Sequence, residues 1–169
     1  MAIILDVVYN QATGQNPLYR MYNNCNGCYG GQATAESPYF NQVAQHSYNV
    51  FNDFDHSSNA TRQYVMQTAQ YWIEEYKIDG MRWDLTKGFT QNCEGDEGCT
   101  NSYNQDRVDV LKLYADAQWD VDEDFLIIFE HLGNGGSRQE EIEWGNYRLD
   151  EGKGIMTWNK LTNPYNQST

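Results

Sequence analysis

The stretch Ile78-Asp-Gly-Met-Arg-Trp-Asp-Leu-Thr-Lys-Gly88 decides the fold prediction, because it joins a short apolar strand to two opposite charges. Successive side chains on a strand point to opposite faces, so Arg82 and Asp84 share one face and Met81 and Trp83 share the other. A charged face inside a buried sheet is costly unless the charges pair or serve chemistry. The stretch therefore indicates either a structural ion pair or part of a catalytic site.

Two further stretches have the same form, an apolar strand that runs into a carboxylate. They are Ala2-Ile-Ile-Leu-Asp6 with the following Val-Val-Tyr-Asn10, and Phe125-Leu-Ile-Ile-Phe-Glu130 with the following His-Leu-Gly133. Strands that are apolar almost throughout and alternate with helices are typical of a parallel sheet covered on both faces. Polar groups at the carboxyl ends of several such strands are typical of an active site.

Helical patterns separate these strands. Helix start signals at 58–61 precede a first helix, whose apolar face is made by Val65, Ala69, Trp72, Ile73 and Tyr76. A second amphipathic helix is predicted over about 106–119. Ser137 with Glu140 makes a capping box for a third helix. A short strand is expected within 155–158. Residues 11–54 show little periodicity and many Tyr, Asn and Gly residues, which predicts an inserted irregular subdomain within one partial barrel domain that spans 1–169.

Composition limits the possible partners. The 169 residues carry a net charge of -13, with 40% hydrophobic and 14% aromatic residues, which fits a globular protein. The acidic balance argues against nucleic acid and against an anionic membrane surface. No apolar run approaches the roughly 18 residues that a membrane span needs, and no leader segment precedes the first strand, so the protein is expected to be cytosolic or to lack its natural beginning. The oligomeric state stays open.

Four cysteines lie in two close pairs, Cys25 with Cys28 and Cys93 with Cys99. Two local disulfides are the preferred interpretation and predict an oxidising compartment, secreted or periplasmic. A zinc site of four thiolates is the alternative, although the second spacing is wider than zinc sites usually have.

Three segments resemble signature regions of the α-amylase family of retaining glycoside hydrolases, in the family's order. They are Asp6-Val-Val-Tyr-Asn10, Gly80-Met-Arg-Trp-Asp-Leu-Thr-Lys87 and Glu130-His-Leu-Gly133, and Asn52-Asp-Phe-Asp55 resembles a fourth and weaker motif. The resemblance implies an α/β fold, part of a TIM (β/α)8 barrel from about strand three to strand six. Residues 11–54 are then the irregular excursion, similar to the family's domain B, after the third strand.

The resemblance also implies a mechanism and its residues. Asp84 is expected to be the nucleophile and Glu130 the general acid and base, with Arg82 orienting the nucleophile and favouring its ionised form. The two carboxyl groups need opposite protonation states, and retention requires them about 5 to 5.5 Å apart. The residues expected to contact the substrate, an α-glucan such as starch or glycogen, are Asp6, Tyr9, Gln11, Lys87 and His131.

A structural calcium ion is implied in the same way. Asn10, Asp53 and the backbone carbonyl of Gly88 match the family's metal-binding positions, and oxygen ligands from separate loops suit this hard cation. The competing interpretation is ordinary turn chemistry, since Asn and Asp are common turn residues.

Three departures from the family pattern qualify these expectations. Gln11 stands where the family usually has a His that contacts the cleaved sugar, and Gly88 replaces another His. The chain also ends before the strand that carries a further catalytic carboxylate, and a complete barrel needs about 250 residues. The isolated chain is therefore expected to be an inactive fragment of an α-amylase-like enzyme. The alternatives are an α-glucosidase or transglycosylase of the same family, or a non-catalytic glucan-binding homologue.

Overall fold

A parallel sheet of four strands forms the centre of the computed structural model, which describes residues 1–25, 29–132 and 138–158. The strands are β1 (Ile4–Val7), β4 (Gly80–Trp83), β5 (Leu126–Glu130) and β6 (Met156–Trp158), and they lie side by side in this order. Each strand pairs in parallel with the next, with Asp6 opposite Arg82, and Glu130 opposite Trp158. The parallel α/β architecture predicted from the sequence is confirmed, whereas the assignment to barrel strands three to six stays a prediction.

Helices follow the strands and cover one face of the sheet. They are α2 (Asn59–Tyr76), α4 (Gln105–Trp119) and α5 (Arg138–Gly145), with the shorter α3 (Glu97–Asn101) before α4. The side chain of Ser58 caps α2 by accepting a hydrogen bond from the backbone N–H of Ala60 at 3.2 Å, as a start signal should. Ser137, predicted to cap the third helix, lies outside the described residues.

The helices and the apolar face of the sheet enclose the core. Met81 and Trp83 are fully buried in it, which confirms that they share the apolar face of their strand. Val65, Ala69 and Ile73 pack onto the sheet from α2, as predicted. Tyr76 is 57% exposed, so its place on the core face was predicted wrongly. It is the last residue of α2, and its ring packs against that of Trp72, with centroids 4.5 Å apart, instead of entering the core.

The described residues of the excursion, 11–25 and 29–54, have mostly irregular structure with a small core of their own. Its ends are joined by an antiparallel ribbon of β2 (Gln11–Ala12) and β3 (Asn52–Asp53), and it contains the short helix α1 (Pro17–Met21). Five buried residues form the separate cluster: Ala12, Tyr19, Ala33, Phe40 and Phe54. The chain thus leaves the sheet after β1 and returns beside the point where it left. The division into a partial barrel and an inserted subdomain stays a prediction.

A disulfide joins Cys93 and Cys99, whose Cα atoms lie 5.4 Å apart, as the preferred interpretation predicted. Cys25 is also disulfide-bonded, and Cys28, its expected partner, lies outside the described residues. The zinc alternative is wrong because these sulfur atoms are already paired. None of the helices within the described ranges is both long and apolar enough to cross a bilayer. These features are compatible with the predicted secreted or periplasmic location, which stays a prediction.

Candidate active site

One guanidinium group gathers three carboxylates at the carboxyl ends of β1, β4 and β5. Arg82 Nη1 lies 2.8 Å from Asp6 Oδ1 and 2.9 Å from Asp84 Oδ1, and its Nη2 lies 2.7 Å from Glu130 Oε1. The parallel register explains this, since it places Asp6 opposite Arg82 and Glu130 on the next strand. The three acidic residues predicted at separate strand ends therefore form one cluster.

Arg82 stays charged in this setting. Burial by itself favours the neutral form, but hydrogen bonds to Asp6 and Asp84 and the charge of Glu130 raise the pKa of Arg82 above its ordinary value. Three carboxyl groups thus share the positive charge of one guanidinium. Carboxyl groups suit a reaction in which positive charge develops on the substrate.

The nucleophile and acid candidates are partly open to solvent. The side chain of Asp84 is 27% exposed and that of Glu130 is 17% exposed, whereas the guanidinium side chain between them is 12% exposed. Because Asp84 and Glu130 bind neighbouring nitrogen atoms of one planar group, the span of that group limits their separation. Both carboxylates thus remain partly accessible while they are bound to one guanidinium.

Both groups that contact Glu130 are hydrogen-bond donors. In addition to Arg82, the backbone N–H of Leu85 donates to Glu130 Oε2 at 3.0 Å. Leu85 adopts a left-handed backbone conformation with φ of 42°, which is uncommon for a residue with a branched side chain. An ionised carboxylate satisfies both donors, whereas the general-acid step needs a proton on one of these oxygen atoms.

Trp158 is a member of this cluster that the sequence analysis did not single out. It lies opposite Glu130 in the parallel register, is 52% exposed, and has its ring centroid 5.0 Å from the Cζ atom of Arg82. The sequence analysis predicted a strand within 155–158, and a strand parallel to β5 must place one of its residues opposite Glu130. Trp158 could therefore have been considered for the site. A flat aromatic surface beside the carboxylates is suited to packing against a sugar ring.

Tyr9 and Gln11 lie farther along the chain from the first carboxylate. Tyr9 is buried against Trp83, with ring centroids 5.2 Å apart, and burial raises the pKa of Tyr9 to about 12. Gln11 lines a surface cleft with Val8 and Tyr64, and none of the three carboxylates lines that cleft. The predicted sugar contacts of Tyr9 and Gln11 stay predictions.

Lys87 and His131 are buried below the carboxylates rather than among them. Lys87 Nζ donates to Asn101 Oδ1 at 3.3 Å, and burial lowers the pKa of Lys87 to about 8. Both ring nitrogens of His131 have partners, Thr86 at 2.9 Å and Glu140 at 2.7 Å. In this arrangement neither side chain presents a surface to a sugar, and their predicted role as substrate contacts stays a prediction.

The residues expected to hold calcium lie together at the base of the excursion. Asn10 is fully buried, and neither polar atom of its side chain has a hydrogen-bond partner. Asp53 Oδ1 is also buried without one, although Oδ2 accepts hydrogen bonds from Asn41 and Gln45. A side-chain carbon added to Gly88 would lie 2.9 Å from Asn10 Cβ, so the third predicted residue is adjacent.

His46 is a further residue of this group that the sequence analysis did not consider. Its Nε2 lies 3.2 Å from Asp53 Oδ1, yet neither atom has a hydrogen-bond partner, and both side chains are buried. Among the residues that the structure describes, no group of three His, Cys, Asp or Glu side chains is placed to hold a metal. The unpaired Asn10 and Asp53 oxygens nevertheless fit a cation, because buried polar atoms without partners are rare.

Comparison with known proteins supports the similarity expected from the motifs. No protein-family model matches the chain. Over 93 residues, 54% of the chain, it is 29% identical to the malto-oligosyltrehalose trehalohydrolase of Saccharolobus solfataricus, and it spans 14% of that protein. This is well below two thirds of the relative's length.

Solved structures share the fold. The apo pullulanase of Klebsiella pneumoniae superposes with a TM-score of 0.57 and 15% identity, covering 93% of this chain and 15% of the pullulanase. The α-amylase of Geobacillus thermoleovorans in complex with acarbose superposes with a TM-score of 0.50 and 17% identity, covering 77% of this chain and 25% of the amylase. The chain is thus similar to the α-amylase family of glycoside hydrolases in its signature residues and has part of the fold of that family's catalytic barrel.

Proposed function

We propose that the chain is part of the catalytic domain of a retaining glycoside hydrolase that acts on α-1,4-linked glucans such as starch or glycogen. The observation that carries the proposal is the single guanidinium of Arg82 that holds Asp84 and Glu130 at the ends of neighbouring parallel strands. Retention requires a pair of carboxyl groups about 5 to 5.5 Å apart that flank the scissile bond. The similarity to a trehalohydrolase, a pullulanase and an α-amylase supports the same class of enzyme.

In the proposed mechanism, Asp84 attacks the anomeric carbon while Glu130 gives its proton to the departing glycosidic oxygen. A covalent glycosyl ester on Asp84 forms as the glycosidic bond breaks. Glu130 then takes a proton from water, the water oxygen bonds to the anomeric carbon, and Asp84 is released. Arg82 orients Asp84 through a hydrogen bond of 2.9 Å to Asp84 Oδ1.

Asp6 and Trp158 contribute to substrate binding in this proposal. Asp6 is the most exposed of the three carboxylates, with 66% of its side chain accessible, so it can accept hydrogen bonds from sugar hydroxyls. Trp158 offers an aromatic face on the other side of Glu130. The carboxylates and the aromatic ring thus line one continuous stretch of the sheet edge.

We further propose that Asn10, Asp53 and the carbonyl of Gly88 hold a calcium ion, with His46 beside them. Bound there, calcium supplies structural cross-linking between the strand end after β1, the excursion and the segment after β4. Asn10 follows β1, Asp53 closes the excursion, and Gly88 lies in the 3₁₀ turn Thr86–Phe89. The support is the set of buried oxygen atoms without hydrogen-bond partners.

The chain corresponds to a segment of a longer domain in this proposal, because it spans 14% to 25% of the proteins named above. The experiment therefore uses the full-length protein that contains it. Incubation with soluble starch should release reducing ends whose anomeric configuration, followed by NMR from the first turnovers, is that of the substrate. Starch binding without hydrolysis would favour the glucan-binding homologue instead, and inverted products would refute the retaining mechanism.

A further inference from the structure

A buried polar network lies directly below the carboxylate cluster, and we call it the brace. It consists of Thr86, Arg107, His131 and Glu140, each at most 1% exposed. Arg107 comes from α4, Glu140 from α5, His131 follows β5, and Thr86 follows β4. The brace therefore ties two helices to the two segments that carry Asp84 and Glu130.

Arg107 and Glu140 form the anchor of the brace. Arg107 Nη2 lies 2.8 Å and 2.9 Å from the two carboxylate oxygens of Glu140, and the backbone N–H of Asn104 donates to Oε1 at 2.7 Å. Burial favours protonation of Glu140, but its hydrogen bond with His131 and the charge of Arg107 together lower the pKa of Glu140 below its ordinary value. Glu140 is therefore an ionised acceptor.

His131 links the carboxylate of Glu140 to the segment after β4. An ionised Glu140 only accepts, so His131 Nε2 carries the hydrogen and donates at 2.7 Å. Burial lowers the pKa of His131 to about 4, so the ring is neutral and its Nδ1 accepts from the Thr86 hydroxyl at 2.9 Å. The same hydroxyl is also within hydrogen-bond distance, 3.0 Å, of the backbone carbonyl of Glu130, and these two acceptors share its single hydrogen.

The brace fixes the turn between Asp84 and Gly88 at two points. Arg107 Nη1 donates to the Lys87 carbonyl at 3.3 Å, and Thr86 is held by His131. Leu85, the residue just before Thr86, is the one in the left-handed conformation, and its N–H donates to Glu130 Oε2. Holding Thr86 and Lys87 in place therefore aims the Leu85 N–H at the Glu130 carboxyl group.

We infer that Thr86, His131, Glu140 and Arg107 are positioning residues that set the geometry of Glu130 relative to Asp84. The inference rests on the proposed function for the roles of these two carboxylates. A buried ion pair is a weak source of stability, since apolar side chains of similar volume often serve as well. Arg107 also donates to the Thr100 and Ser102 carbonyls, at 3.0 Å and 2.9 Å. The path from Glu140 through His131 to Thr86, however, ends at the segments that present the two carboxylates, which a core-filling role does not require.

The test compares Thr86→Val with Thr86→Ser in the full-length protein. The valine has nearly the shape of threonine but lacks the hydroxyl, whereas the serine keeps it and loses only a methyl group. Val65→Ala is the control for general destabilisation, because Val65 is fully buried on α2, a helix that carries no residue of the brace and none of the three carboxylates. Thermal unfolding of all three variants establishes their relative stabilities.

Thr86→Val should lower kcat on starch by about 10- to 100-fold, because displacements of about 1 Å at catalytic groups have effects of this size. KM should change by less than about twofold, since the substrate contacts remain. Thr86→Ser should stay within about threefold of the wild type in kcat, and Val65→Ala should leave kcat unchanged at temperatures where it is folded. Equal kcat values for Thr86→Val and Thr86→Ser would overturn the inference.

Hydrogen exchange at the Leu85 amide gives a readout that does not need activity. Thr86→Val should remove the protection of this amide, whereas Thr86→Ser and Val65→Ala should retain it. If the wild type hydrolyses no glucan, the proposed function fails, and this comparison still decides whether the brace holds the turn. Unchanged protection in Thr86→Val would overturn the brace independently of the enzyme's activity.

Discussion

Lowering the pH should destabilise the protein through His56, a buried neutral imidazole. Burial lowers the pKa of His56 from an ordinary value of 6.5 to about 3, and its hydrogen bond with the Tyr9 carbonyl offsets this only partly. The contacts explain the neutral form, because Nε2–H donates to Tyr9 O at 3.0 Å and Nδ1 accepts from the Tyr114 hydroxyl at 2.8 Å. A proton on Nδ1 would reverse the second hydrogen bond, so the Tyr114 hydroxyl would have to accept instead of donate.

The size of the effect follows from these values. In the unfolded chain His56 takes up a proton as the pH falls through 6.5, whereas in the folded chain it stays neutral until about 3. Its contribution to stability is therefore complete above pH 6.5 and is lost as the pH falls through the window between the two values. Each pH unit inside the window costs about 1.4 kcal/mol, so at about pH 5 the loss is about 2 kcal/mol.

The assay is urea unfolding of the full-length protein and of His56→Gln, followed by tryptophan fluorescence at about pH 7 and about pH 5. The free energy of unfolding of each protein at about pH 5 is compared with its own value at about pH 7. Any pH-independent effect of the substitution on stability therefore cancels. The wild type should lose about 2 kcal/mol more than His56→Gln between the two pH values, because glutamine does not titrate. Equal losses in the two proteins would show that His56 is protonated in the folded state and refute the reasoning.

Two further predictions concern the cation site and the disulfide. Adding calcium at about 100 times its Kd to chelator-treated protein should stabilise it by about 2.7 kcal/mol, seen as a rise in Tm. Asp53→Asn should abolish the rise, and an equal rise in this variant would remove Asp53 from the site. Replacing both Cys93 and Cys99 by serine should lower the free energy of unfolding in urea by about 2 kcal/mol, as expected for the short loop that this disulfide closes. An unchanged free energy of unfolding would contradict this prediction.

The strands and their chemistry were predictable from the sequence because they depend on local patterns. Alternation along 80–84 placed Arg82 and Asp84 on one face, and both Met81 and Trp83 are indeed in the core. The carboxylates at the ends of three apolar strands were expected to meet, since parallel strands end at one edge of a sheet. The structure brings them together on a single guanidinium.

Features that depend on contacts between distant segments were not predictable in the same way. Glu140 was predicted to form a capping box with Ser137, and Arg107 falls within a predicted amphipathic helix. Only the packing of α4 against α5 shows that both side chains are fully buried and paired. His46 lies in a stretch without periodicity, and its approach to Asp53 depends on the path of the excursion. His131 follows Glu130 directly, but its burial depends on Glu140 in the next helix.

The most direct test of the central claim is the release of reducing ends from soluble starch by the full-length protein and by its Asp84→Asn variant. Asparagine keeps the shape of the side chain but cannot form the glycosyl ester as a carboxylate nucleophile does. The proposed roles predict activity in the wild type and a loss of several orders of magnitude in the variant, with starch binding retained. Comparable rates in the two proteins would contradict the assignment of Asp84 as the nucleophile and, with it, the proposed mechanism.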